Sequence, residues 1–124
     1  MAGACAALFR DIWGDAPNIT VVEPEFAPAI FDSIQAGGFR VAAGPVSDMG
    51  RLDWKEASLS ALKGRSRDAD AIALISEEEA LEVLPKLAAV NLATSSSGAA
   101  GIAAAVLSDL PKDAKVLCIL SEGV

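Results

Sequence analysis

The chain has 124 residues, 52% of them hydrophobic and 22% charged, a composition that fills one buried core and excludes an intrinsically disordered chain. Ten Lys and Arg against seventeen Asp and Glu leave a formal charge of −7. That argues against nucleic-acid binding, because phosphate contacts need clustered cations. The absence of histidine removes His-based triads and His-ligated metals together.

The first element is a helix from Ala2 to Trp13, with Leu8, Phe9, Ile12 and Trp13 on one stripe, stopped at Gly14. Arg10 and Asp11 interrupt it too early for a secretory leader, and Cys5 and Cys118 lack metal-ligand spacing. Ile19–Val22 is a β-branched run without alternation, closed by Glu23-Pro24, as a strand buried on both faces reads. A helix from Ala27 to Gln35 follows, ended by Gly37-Gly38, then a short strand at Phe39–Ala43 and a loop from Gly44 to Asp53. Asp53 with Glu56 three residues on is a capping pattern, which predicts a helix over Trp54–Leu62 ended at Gly64. Arg65–Asp68 then reads as a polar connector.

Ala71–Ile75 is the second apolar strand. Ser76-Glu77-Glu78-Glu79 opens the next helix, with Ser76 as cap, Glu79 reaching back and Pro85 inside its last turns. A loop of small polar residues, Ala93–Ser97, leads into an Ala-rich helix from Gly98 to Leu110, stopped by Pro111. Val116–Leu120 reads as a third strand, with Cys118 as a small buried hydrophobe, and Ser121-Glu122-Gly123 turns beyond it. Buried strands separated by helices predict a single α/β domain over residues 1–124, a three-layer parallel sheet with flanking helices. No apolar stretch reaches the roughly 18 residues of a membrane span, so the expected compartment is the cytoplasm.

In open parallel sheets, ligands bind beyond the carboxyl ends of the strands. Those ends carry Glu23, Ser76 and Ser121–Gly123. Thr94-Ser95-Ser96-Ser97 adds four hydroxyls at a helix start, which suits an anion or a polar ring atom. Each also has a plain structural reading. Ser-rich helix starts are commonly caps, Ser76 and Glu79 cap a helix, Asp48 and Asp53 suit turns and caps, and no lysine sits in an apolar setting.

Taken in order, Val21-Val22-Glu23-Pro24-Glu25, Asp48–Ser58, Ile75–Ala80, Ser96-Ser97-Gly98-Ala99-Ala100-Gly101 and Ser121-Glu122-Gly123 resemble the C-terminal part of a fold-type II pyridoxal-phosphate enzyme. This is the tryptophan-synthase-β-like group, and the nearest likeness is to diaminopropionate ammonia-lyase and the serine/threonine dehydratases. The loop departs from the lyase pattern at Arg51, Trp54, Lys55 and Ala57. The resemblance implies a Rossmann-like half of such an enzyme, bound to pyridoxal phosphate and eliminating ammonia or water from a small amino acid. It implies that the Schiff-base lysine and the glycine-rich phosphate loop lie upstream, so that these residues are the C-terminal portion of a larger enzyme and supply no catalytic residue. It places Ser96 against the pyridine nitrogen, with Ser95, Ser97 and Thr94 as neighbours, and carries Glu23 and Glu122 as supporting residues. A neutral hydroxyl there leaves the ring nitrogen unprotonated, which favours β-elimination. The expected partners are the amino-acid substrate and a second copy of the chain or a complementing N-terminal half. The competing reading is a non-catalytic α/β ligand-binding or interaction domain, since every covalent catalyst is missing.

Overall fold

In the computed structural model, two parallel strands are sandwiched between helices. The structure describes residues 1–123, and of residues 65 and 66 the backbone alone. The elements run α1 (Ala2–Trp13), β1 (Thr20–Pro24), α2 (Ala29–Gln35), α3 (Leu59–Asp68), β2 (Ala71–Ile75), α4 (Glu77–Ala88) and α5 (Ser96–Leu107). β1 and β2 pair in parallel with Val22 opposite Ala73 and Pro24 opposite Ile75. Both strands therefore end together, and the segments that follow them emerge on one edge.

Side chains alternate across a strand, so the two faces of the sheet receive different residues. Val22 and Ile75 pack with Met49, Ala80, Val83, Leu87, Ala99, Ala100 and Ala103, which places α4 and α5 on one face. The alanines of α5 let the two helices approach closely. Ile72 packs with Ala29, Ile30, Ala42, Ala57, Ala61 and Leu62, which places α2 and α3 on the other. The three layers of the sequence reading are present. α1 packs outside α3 and buries only Ala6, leaving Leu8, Ile12 and Trp13 about half exposed.

The predicted start of α4 holds in full. Ser76 Oγ accepts from Glu79 N at 3.2 Å, and Glu79 Oε2 accepts from Ser76 N at 2.8 Å. The helix continues past Pro85 to Ala88. α1, β1, α2 and β2 lie within two residues of their predicted bounds, and α5 begins at Ser96 and ends at Leu107.

Three expectations are corrected. The helix predicted from Trp54 starts at Leu59 instead, because Asp53 is taken by Lys55 in an ion pair and cannot cap. Ser58 Oγ accepts from Ala61 N at 3.1 Å and opens α3, which runs through Gly64 and the supposed connector to Asp68. The predicted strand at Phe39–Ala43 is a single antiparallel bridge between Val41 and Glu56. Val116–Leu120 is not a strand, for no ladder partner lies beside it among the described residues. Val116, Leu117 and Ile119 are about half exposed there, and Cys118 is half-buried rather than buried. Among the described residues, no helix is long and apolar enough to cross a membrane.

Candidate functional site

β2 ends at Ile75, and α4 starts at Glu77 with only Ser76 between, so its first turn sits at the carboxyl edge of the sheet. There Ser47 anchors the loop that precedes α3. Ser47 Oγ accepts from Met49 N at 3.1 Å, a local turn that a serine two residues upstream provides. The same hydroxyl donates to Glu77 Oε1 in the first turn of α4. Met49 is fully buried in the α4–α5 core, so the loop is fixed by one polar and one apolar anchor.

The loop next crosses the start of α5, where the four predicted hydroxyls lie together. Ser95 is the N-cap, its Oγ accepting from Gly98 N at 3.1 Å. Thr94 is buried, and its Oγ1 contacts Glu122 O at 2.7 Å. Ser96 Oγ contacts Asp48 O at 3.3 Å, and Ser97 Oγ receives Arg51 N at 3.2 Å. The identity of each partner settles where the protons are. A carbonyl only accepts, so Thr94 and Ser96 have spent their single hydroxyl proton. A backbone N–H only donates, so Ser95 and Ser97 are used as acceptors, and among the described residues their own protons have no acceptor.

The fifth candidate, Glu23, is buried beneath this edge. Its carboxylate accepts from Ile30 N at 3.2 Å and from Phe31 N at 2.9 Å, two of the orphan donors at the start of α2. The structure thus brings Thr94–Ser97 into one turn and shows Glu23 serving the neighbouring helix.

Lys55 belongs to the same loop but is committed elsewhere. Its Nζ donates to Phe26 O at 2.7 Å and Pro45 O at 2.6 Å and pairs with Asp53 Oδ1 at 2.6 Å. The hydrogen bond from Lys55 holds the Asp53 carboxyl below the usual carboxylate range, with help from the Ser47 backbone N–H against the cost of burial. An ammonium with three acceptors is a poor nucleophile, because an amine attacks only after losing its proton.

Sequence reasoning missed Ser47, and assigned no contact to Arg51. Ser47 had a readable signal, a serine two residues before a large apolar side chain in a turn. Arg51 had none, since its partner Glu122 is remote in sequence.

The arrangement offers two hydroxyl protons, from Ser95 and Ser97, at the mouth of a helix made of small residues. Two such donors suit an acceptor atom of a polar ligand. Among the described residues, no group of three or more Cys, Asp or Glu could hold a metal ion.

The comparisons with known proteins come from sequence and from fold. A family described as pyridoxal-phosphate dependent enzyme matches residues 1–122. Among curated proteins, none matches the sequence. The crystal structure of a threonine deaminase from T.th. superposes with a TM-score of 0.79 at 23% identity, over 90% of this chain and 42% of that one. At that identity the likeness shows the shared fold, and the chain spans less than half the length of that structure.

Proposed function

The chain belongs to the pyridoxal-phosphate dependent enzyme family, and we propose that it forms the ring-nitrogen side of the active site in a β-eliminating enzyme of the cytoplasm. The substrates in this reading are small amino acids with a leaving group on the β-carbon, diaminopropionate, serine or threonine, which lose ammonia or water. Pyridoxal phosphate is the family's cofactor, and when bound it supplies an electron sink for the substrate's α-carbon. The observation that carries the reading is the pair of uncommitted hydroxyl protons at the start of α5.

The residues present fit the nitrogen end of that group. Ser97 or Ser95 would hold the ring nitrogen by donating its hydroxyl proton, while Ser96 and Thr94 hold the turn through Asp48 O and Glu122 O. This moves the donor one residue away from Ser96, the residue matched by sequence. A neutral serine there would offer a hydrogen bond without delivering a full proton, which would suit loss of a β-substituent. The lysine that carries the cofactor comes from outside these 124 residues in this proposal, consistent with the three acceptors around Lys55. The half-exposed Leu8, Ile12 and Trp13 of α1 and Val116, Leu117 and Ile119 are the surfaces a complementing segment or a second copy would cover.

The test is a titration of the isotope-labelled chain with pyridoxal 5′-phosphate, followed by borohydride reduction and mapping of adducts. Amide shifts confined to residues 94–98, abolished in Ser97→Ala and without a stoichiometric lysine adduct, are expected. Ammonia release from diaminopropionate by this chain alone would place the catalytic lysine within it. Shifts absent from residues 94–98 would reject the ring site and favour a non-catalytic interaction domain.

A further inference from the structure

Glu122 has contacts that its place in an irregular segment does not predict. Its main-chain carbonyl accepts from Thr94 Oγ1 at 2.7 Å, and its Oε2 lies 3.1 Å from Arg51 Nε. Arg51 in turn gives its backbone N–H to Ser97 Oγ at 3.2 Å. Glu122 thus reaches the hydroxyl turn twice, directly through Thr94 and indirectly through Arg51. Gly98 makes this possible. A Cβ at that position would collide with Thr94 Oγ1 and stand 2.7 Å from Glu122 Cγ.

The two members of the ion pair are unequal. The Glu122 side chain is 12% exposed and that of Arg51 78%. A sheltered carboxylate costs free energy unless it is paired, so the loop that brings Arg51 relieves Glu122. The contact runs from Nε of Arg51, and most of the arginine side chain is open to solvent. The charge of Arg51 therefore holds the 48–51 turn against α5 without filling the space beside Ser97.

We propose that Glu122 is a positioning residue: its ion pair with Arg51 latches the 48–51 turn onto the start of α5 and thereby leaves the Ser97 proton free. The hydroxyl acts on a ring nitrogen only if the cofactor reading above holds, but the latch itself is a property of the chain without cofactor. With the latch closed, the Arg51 N–H occupies an acceptor site of Ser97 Oγ, and the hydroxyl proton has to point away from the loop. With it open, Ser97 regains that acceptor site and its proton has no set direction.

Amide hydrogen exchange of the cofactor-free chain tests this, corrected for intrinsic rates. Glu122→Gln and Arg51→Ala should each speed exchange at Arg51 by up to about five-fold, the ceiling for a pair whose arginine is largely open to solvent, with the global unfolding transition almost unmoved. The double variant should be no faster than either single one, since both break the same contact. Exchanging the charges, Arg51→Glu with Glu122→Arg, should restore most of the protection, which simple loss of packing would not allow. Unchanged exchange at Arg51 in Glu122→Gln, or additive effects in the double variant, overturns the latch. Adding pyridoxal 5′-phosphate separates the two readings: a latch that is present while the cofactor perturbs nothing at 94–98 rejects the cofactor site and leaves the latch standing.

Discussion

The two faces of the sheet are held by different forces. On the α4–α5 face the contacts are apolar, with Met49, Ile75, Ala80, Val83, Ala99, Ala100 and Ala103 packed to near-complete burial. On the α2–α3 face the buried set is smaller, and polar groups carry much of the attachment. Glu23 caps α2, Ser33 Oγ accepts from Arg40 N at 3.0 Å, and Arg10 joins α1 to the carbonyl of Asp68 and to Asp70. Apolar burial is indifferent to pH and weakly sensitive to salt, whereas charged hydrogen bonds are neither. The apolar packing beneath the hydroxyl site should therefore survive changes of solution conditions, whereas the Arg51–Glu122 ion pair at its rim should weaken with added salt.

The largest effect that would break this contrast is Met49→Ala. Removing a fully buried Met from the apolar face should cost about 2–5 kcal/mol, because the cavity cannot fully collapse. It should also loosen the 47–52 loop. Thermal or urea unfolding measures the first and amide exchange the second. A loss well under about 1 kcal/mol would mean that the α4–α5 face is not the main source of stability.

On the polar face, Glu23→Ala should come next, at about 1–3 kcal/mol. It leaves the Ile30 and Phe31 N–H groups without their acceptor at the start of α2. Urea unfolding should show the loss, and circular dichroism a frayed seven-residue helix. If Glu23→Ala unfolds like the parent, the face is held by Ile30 and its apolar neighbours after all.

Gly98→Ala probes the junction between the apolar face and the site. The added methyl has to displace Thr94 and Glu122, an overpacking cost of about 1–3 kcal/mol. Thermal unfolding should fall by less than in Met49→Ala, while exchange at Arg51 should rise, because Glu122 is pushed from its place. A destabilised chain with an intact Arg51–Ser97 bond would separate core packing from the latch.

What could be read in the sequence follows the same division. Ser76 and Glu79 state the start of α4 within four residues, and a β-branched run and an apolar run state β1 and β2, because capping and short unalternated apolar runs are local signals. The hydroxyl turn was visible as composition. Which hydroxyls keep their protons was not, for that depends on Asp48 O, Arg51 N and Glu122 O arriving from elsewhere in the chain. Asp53 and Glu56 carried a valid capping pattern that the ion pair from Asp53 to its near neighbour Lys55, itself held by Phe26 O and Pro45 O, outcompeted. Val116–Leu120 has strand-forming side chains, but a strand needs a neighbour, and propensity does not supply one.

The smallest effect sharpens the contrast through pH. Asp70 Oδ2 accepts from Ile19 N at 2.6 Å and pairs with Arg10, and these two contacts, in that order, hold its carboxyl below the ordinary value of 3.8. The sign follows from linkage. A carboxyl depressed in the fold stabilises it fully above the unfolded value and loses that contribution as pH falls through the folded one. Asp70→Asn should therefore lower the melting temperature modestly at neutral pH, and the gap to the parent should close as the pH drops below about 3.8. Part of the acid sensitivity should remain in the variant, because Asp68 is also held low, chiefly by Arg67 and to a lesser degree by Arg10. Added salt should shrink the neutral-pH gap as well, since Asp70 and Arg10 are both partly exposed to solvent. Met49→Ala serves as the counterpart: its loss should stay constant over the same range of pH and salt. A gap for Asp70→Asn that is just as constant would remove the electrostatic account of the α2–α3 face.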